Sequence, residues 1–322
     1  MVSYVIRRLA WTVVVLVLIS FITFFIYVVM PPNDSPYESF THGQRTARAS
    51  ELTRQALSLD LPLSVQYGRF MRHLVLGDQY GWPGLGYSFQ TRAALRPVLA
   101  SRAVVTAQLA IGAVVLWMLI GTSLGVAAGA RPHSNVDRAA RTFALIGVST
   151  PAFLLGTGAL YVFWYKLHLA PGTGYAPITD GVWPWARQMF LPWMTLAVFF
   201  AALYLRMSRA TVMETMEEDY VRTARGKGIS ERKVLTKHAL RPSISPLVTM
   251  LGMDLGHLIG GAIIVETVFN LPGLGAFAVS SLDHADLYAL LDLTLVIAVG
   301  VCLLNLCADL IYAAIDPRVR FT

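Results

Sequence analysis

Long apolar runs alternate with shorter charged stretches along the whole chain. The first run, residues 9–30, follows Arg7 and Arg8 directly and is longer than the apolar core of a signal peptide. Five further runs have about the length that crosses 30 Å of hydrocarbon, at 104–130, 143–165, 190–207, 244–269 and 289–315. The pattern predicts an all-α, polytopic membrane protein with about six transmembrane helices.

These runs divide the chain into four parts. Residues 1–30 form an N-terminal tail and the first transmembrane helix, and residues 31–102 are too polar to span and form an extracytoplasmic segment. Within that segment we expect short helices and turns, including an amphipathic piece around 49–59. Residues 103–315 form a five-helix core with a charged cytoplasmic loop at 213–243, and residues 316–322 form a cytoplasmic tail.

Charge supports the membrane interpretation and indicates its orientation. Only 14% of residues are charged and 55% are hydrophobic, with a mean hydropathy of +0.56 and a net charge of +7. With the N-terminus inside, 16 of the 26 basic residues fall in inner segments, at 1–8, 131–142, 206–243 and 316–322. Lysine and arginine favour the cytoplasmic side, so both termini are predicted inside and nucleic acid is not needed to explain the charge.

Neither a metal site nor a catalytic site is predicted. The two cysteines, Cys302 and Cys307, lie five residues apart in an apolar run, so on a helix they point to different faces. A nucleotide-hydrolysing chain needs a phosphate cradle of the form GxxxxGK[ST]. Gly228 follows Gly226-Lys227 where Ser or Thr would be required, and Val221 occupies the first glycine position. Any ATP would therefore have to be hydrolysed by another chain, and we do not expect an enzyme.

The inner loop at 213–243 is long, charged and rich in helix-favouring residues. Gly228 would allow a sharp turn between two short helices, at 219–225 and 230–238. An apolar strip could follow these helices, formed by Val221, Ala224, Val234 and Leu235. On composition alone, a solvated positive-inside loop explains the segment equally simply.

The residues of this loop resemble the cytoplasmic signature of ABC-importer permeases, in the form of the dipeptide/oligopeptide/nickel family. Arg222-Thr223-Ala224 fills the place of the family's Glu-Ala-Ala triplet, Gly228 that of its glycine, and Arg241 that of the usual proline. The resemblance implies a coupling helix that docks into a groove of the ATPase subunit. It implies ATPase-coupling roles for Tyr220, Val221, Arg222, Thr223, Ala224, Arg225, Gly228, His238 and Arg241.

Shorter matches continue the resemblance over nearly the whole chain. They are similar to family motifs in order and spacing, and lie at residues 4–9, 59–67, 86–88, 260–269, 272–275 and 309–320. The forms at both ends resemble the first of the two permeases that such systems carry.

The resemblance implies half of a translocation path for di- or oligopeptides, coupled to ATP hydrolysis by separate subunits. The implied partners are a second homologous permease, two ATPase subunits, an extracytoplasmic substrate-binding protein and membrane lipid, without nucleic acid. No cofactor is expected on this chain, since ATP and Mg bind the ATPase subunits. The implied location is the bacterial or archaeal cytoplasmic (plasma) membrane.

Other functions stay open. Similar permeases carry nickel chelates or glutathione-like peptides, so these substrates remain alternatives. A secondary transporter driven by an ion gradient would usually show internal repeats around midplane ions, and no repeat is evident. A membrane-anchored scaffold would not need family motifs spread along the chain.

Ionisable residues within spans are costly and often functional. Asp254 and His257, at i and i+3 of the fifth span, share a helix face, and Glu266 lies near its outer end. One interpretation places these three residues on the translocation path, where Asp254 meets a peptide's ammonium group. The other gives them hydrogen bonds or ion pairs within the helix bundle.

Overall fold

The structure is a computed structural model that describes residues 2–26, 61–88, 91–284 and 286–315. The predicted amphipathic piece at 49–59 and the tail at 316–322 lie outside the described residues. Most of the described backbone is helical, and the remainder includes one two-stranded antiparallel pair, β1 (Tyr87–Ser88) with β2 (Ala93–Ala94). The all-α prediction is confirmed.

The long helices carry the apolar runs. Five of those described are long and apolar enough to cross a membrane, namely α1 (Val2–Phe24), α3 (Leu95–Ala130), α6 (Val182–Glu217), α9 (Leu240–Phe269) and α11 (Leu287–Ile315). The shorter ones are α2 (Leu63–Leu76), α4 (Asn135–Ser149), α5 (Ala152–Ala159), α7 (Asp219–Gly226), α8 (Glu231–Lys233) and α10 (Leu274–Asp283). Short π-helical stretches extend α5 over Leu160–Lys166 and α8 over Val234–Ala239.

The predicted single span at 143–165 is wrong in its geometry. The structure has α4 and the helical run Ala152–Lys166 there, bent by 107° at a short break. Pro151 causes the break, because it lacks an N–H and disfavours a helical residue before it; Thr150 is extended, at φ −96° and ψ 123°. The pair counts as a sixth span only if its two arms are taken together.

Two other boundaries differ because helices continue past their apolar runs. The helix that contains the span predicted at 104–130 begins at Leu95, inside the expected extracytoplasmic segment. The span predicted at 190–207 is only the middle part of α6, which extends beyond it at both ends. Hydropathy marks where a helix is apolar, but the backbone stays helical until a breaking residue or a cap ends it. Helix α10 lies between the spans predicted at 244–269 and 289–315 and was not anticipated.

The chain divides into two compact units, one of Met1–Val105 with Gly273–Cys302 and one of Thr106–Pro272 with Leu303–Thr322. In the first, a buried core includes Leu95, Leu99 and Phe277. In the second, α3 and α6 approach closely at small residues. A Cβ at Gly121 would lie 2.7 Å from the Ala201 carbonyl oxygen, so this packing depends on glycine.

Candidate functional site

The inner loop folds as two short helices joined by a glycine turn. Helix α7 ends at Gly226, and the chain re-enters helix at Glu231. Gly228 adopts φ +74°, a conformation that favours glycine, and its N–H donates to the Arg225 carbonyl at 2.9 Å. The sharp turn and both helices expected from the sequence are therefore present.

The apolar strip of this loop faces inward. Val221, Ala224 and Val234 are buried against one another, with Met216 and Ile229 packed beside them. These three side chains form the loop's own core and are not exposed on its surface. Their contribution is to hold α7 against the helix that follows it.

Other predicted coupling residues lie on the loop's exposed surface. Tyr220, Arg222, Thr223, Arg225 and Gly228 are all solvent-exposed. Partial burial and the nearby Glu218 carboxylate raise the pKa of the Tyr220 hydroxyl, so it is neutral at physiological pH. The backbone of His238 lies in the π-helical stretch and that of Arg241 in the first turn of α9.

An ion pair closes the loop across the glycine turn. Arg225 Nε donates to Glu231 Oε1 at 2.7 Å, and its Nη1 reaches the Met216 carbonyl oxygen at 3.3 Å. One side chain thus joins the end of α6, α7 and α8. The spacing of six residues is not a helical pairing distance, so a search for i,i+3 or i,i+4 pairs does not find it.

A second ion pair, buried and not anticipated, joins α4 to α6. The fully buried carboxylate of Asp137 accepts hydrogen bonds from Arg209 Nε and Nη2, and from the backbone N–H of His133 at 2.9 Å. Ser134 caps α4 by accepting from the Asp137 N–H at 3.2 Å. The Ser-x-x-Asp pattern before an apolar run is a helix-start signal that could have drawn attention to this position.

In the fifth span, Asp254 faces a neighbouring helix, whereas His257 Nδ1 lies 3.2 Å from the Met253 carbonyl oxygen of its own helix. Asp254 is within electrostatic reach of Tyr204 on α6. Among the described residues, Asp254 Oδ2, Tyr204 Oη and the indole N–H of Trp117 on α3 are buried without a partner that meets hydrogen-bond geometry. Polar groups of three helices therefore lie near one another at Asp254, which fits pairing within the bundle as well as a place on the path.

Glu266 is fully buried, and Thr106 Oγ1 donates to its Oε1 at 2.6 Å. That geometry fits the alternative in which Glu266 pairs within the bundle. Among the described residues, no group of three or more His, Cys, Asp or Glu side chains is placed to hold a metal ion.

Comparison with known families gives two matches that together cover most of the chain. Residues 1–110 match the N-terminal membrane component of binding-protein-dependent transport systems. Residues 121–321 match the family described as the inner membrane component of binding-protein-dependent transport systems.

Individual relatives align over the full length. A glutathione transport system permease protein GsiC of Salmonella paratyphi A is 36% identical over 321 residues, covering 100% of both chains. The GsiC protein of Escherichia coli O6:H1 is 37% identical with the same coverage. A probable peptide ABC transporter permease protein y4tP of Sinorhizobium fredii is 34% identical over 99% of each chain.

Proposed function

Because the chain belongs to the family of inner membrane components of binding-protein-dependent transport systems, we propose that it is a permease subunit of an ATP-driven importer of di- or oligopeptides. The family consists of membrane components and not of nucleotide-binding subunits, so ATP hydrolysis falls to another chain. The observation that carries the proposal is end-to-end similarity to a glutathione permease and a probable peptide permease. Glutathione is itself a small peptide, so glutathione-like peptides are the leading alternative substrate within the same class.

The inner loop would transmit the movement of the ATPase subunit to the transmembrane helices. It lies between two long helices, α6 and α9, and has its own buried core and a cross-turn ion pair. A loop stiffened in this way can move as one body and displace both helices together. Its exposed residues, Tyr220, Arg222, Thr223 and Arg225, would meet the ATPase surface, while Val221 and Ala224 support them from below.

The path itself would run beside the polar atoms of Trp117, Tyr204 and Asp254. A carboxylate there can attract a peptide's ammonium group, and the neighbouring hydroxyl can hold the carboxylate in place. His257 lies one turn along the same helix face as Asp254, so it can line the same route. This chain would supply half of the path and a second permease the other half, and an external binding protein would deliver the peptide.

Co-purification tests the proposal. We expect two ATPase subunits and a second permease to accompany the full chain, tagged and extracted in mild detergent, in fixed stoichiometry. A secondary transporter would instead purify alone and bind substrate without ATPase partners. Loss of the ATPases from the Gly228→Val complex, with the second permease retained, would further support docking through the inner loop.

The orientation is tested by labelling. We expect both termini and the inner loop to face the cytoplasm. In a background without Cys302 and Cys307, a cysteine at exposed Gln79 should react with an impermeant maleimide in intact cells. A cysteine at exposed Ser230 should react only after the membrane is opened. Reaction of both in intact cells would overturn the orientation.

A further inference from the structure

Helix α2 carries apolar residues on two opposite sides. One side, which includes Tyr67, Phe70 and Leu74, packs into a core with Phe24, Leu291 and Leu295. The opposite side carries Val65 and Leu76, which are 42% and 70% exposed. Arg69 and Arg72 are exposed among these apolar residues. An exposed helix face that mixes aliphatic and arginine side chains is complementary to a surface that is itself both apolar and anionic.

Contacts with two spans fix the depth of α2. The rings of Tyr67 and Phe70 pack against Phe24, with ring centroids 5.4 and 5.8 Å apart, at the last residue of the first span. Leu291 and Leu295 lie four and eight residues after the start of α11, or about 6 and 12 Å along it. The packed side of α2 therefore lies within roughly 12 Å of these span ends, at the boundary between headgroups and acyl chains.

Polar contacts also join α2 to the outer end of the first span. The Ser20 hydroxyl donates to the Val17 carbonyl oxygen of its own helix at 2.7 Å, and its Oγ lies 2.8 Å from Tyr67 Oη and 3.5 Å from Met71 Sδ. Tyr67 and Met71 are one turn apart on α2. Together with the ring contacts at Phe24, these distances place residues 67–71 of α2 against the last two turns of the first span.

We propose that α2 is an interfacial helix, with Val65 and Leu76 among the outermost acyl carbons and Arg72 at the lipid phosphates. The surface of the first span beside it is equally apolar, since Phe21 and Ile22 are about half exposed. Arginine suits this place because its aliphatic stem stays in the apolar layer while the guanidinium reaches the phosphate. Trp82, 67% exposed and tied to the end of α2 by an indole hydrogen bond to the Val75 carbonyl (3.0 Å), adds an interfacial aromatic.

Part of the segment between the first two spans therefore lies against the membrane, at the face where the first span ends, and its partner is lipid. An external protein could cover the same face of a permease, and quenching by lipid distinguishes the two. Such a measurement needs neither transport nor ATPase subunits, so its outcome is independent of the proposed peptide import.

The test places an environment-sensitive fluorophore on the full chain in nanodiscs. Single cysteines replace Val65 or Leu76 in a Cys302→Ser, Cys307→Ser background, and the exposed loop residue Lys227 serves as the aqueous control. The nanodiscs contain phosphatidylcholine and phosphatidylglycerol, with a fraction of lipid carrying a nitroxide just below the headgroup. Quenching by this lipid and by aqueous iodide is measured at each position.

We expect lipid quenching at both helix positions to exceed that at Lys227 by about twofold or more, with the opposite order for iodide. Adding Arg72→Gln should reduce the gain in lipid quenching that accompanies a rise in phosphatidylglycerol. Iodide quenching equal to that of Lys227 at both positions would overturn the proposal. Lipid contact at only one end, or shielding that appears only when the external binding protein is added, would also overturn it.

Discussion

The turn at Gly228 offers the sharpest test of the inner loop. Gly228→Val places a β-branched residue at φ +74°, where L side chains are strained. Apart from Gly228 and its two chain neighbours, no described residue has an atom within 4 Å of the new Cβ, so the cost of the substitution is backbone strain. We expect this strain to raise the free energy of the observed turn by about 1–3 kcal/mol. Expressed as an equilibrium, this lowers the population of the observed turn by roughly 5- to 150-fold relative to competing loop conformations.

The strain would be relieved by rearranging the loop. Relaxing the turn would break the hydrogen bond from the Gly228 N–H to the Arg225 carbonyl, and move Arg225 away from Glu231. That ion pair is partly exposed and contributes little by itself, so it cannot hold the turn against the strain. The exposed face of α7 would then be presented at a different angle to an ATPase subunit.

Gly226→Val is the matched control. Gly226 lies two residues earlier and ends α7 without a positive φ, and a Cβ added there would also meet no described atom within 4 Å. The same side chain is therefore added to the same exposed surface without the strained backbone. Gly228→Asn should fall between wild type and Gly228→Val, because asparagine tolerates the left-handed region better than valine. Arg232→Ala and Lys233→Ala, at exposed positions, should be mild.

The assay is peptide-stimulated ATP hydrolysis and peptide uptake in vesicles reconstituted with the assembled complex. We expect Gly228→Val to lose about tenfold or more of coupled activity, while its membrane insertion stays normal because no span is altered. Gly226→Val should remain close to wild type. Normal coupled activity of Gly228→Val, or equal losses in both variants, would refute the assignment of this turn to coupling.

Three further predictions concern buried polar groups. Asp137→Ala should lower the free energy of unfolding by about 3–5 kcal/mol, because the charge of Arg209 is left uncompensated, and the pair Asp137→Leu with Arg209→Met should recover much of the loss in thermal unfolding measurements. Asp254→Asn should reduce peptide uptake with complex assembly intact, whereas a loss that tracks thermal stability would assign it to packing. Tyr204→Phe should weaken the apparent affinity for peptide, because it removes the hydroxyl that can hold the Asp254 carboxylate in place, and an unchanged affinity would exclude that role.

Sequence patterns predicted most of the architecture because long apolar runs allow few structures in a bilayer. They predicted the approximate number of spans and the two short helices around Gly228. They missed the bend at Pro151, since membrane helices tolerate proline and only the local backbone decides whether one kinks or breaks. They missed α10 because a short helix leaves a weaker pattern than a span does.

The candidate site was predicted less completely. The family signature identified the loop, but it did not distinguish buried Val221 and Ala224 from the exposed residues around them. The strip would be apolar whether it packed inside the loop or against another subunit, and only the fold shows what covers it. The proximity of Asp254 to α6, and the pairing of Asp137 with Arg209, join positions far apart in the chain. Sequence spacing holds no information about such pairs.

Transport in a defined system tests the central claim most directly. Proteoliposomes would contain this chain, its partner permease and the two ATPase subunits, with the external binding protein and a labelled dipeptide or glutathione supplied on the binding-protein side. We predict accumulation of the peptide only when ATP is present on the ATPase side, and none when a proton or sodium gradient is imposed without ATP. Accumulation driven by an ion gradient in vesicles that contain this chain without the ATPase subunits would contradict the claim.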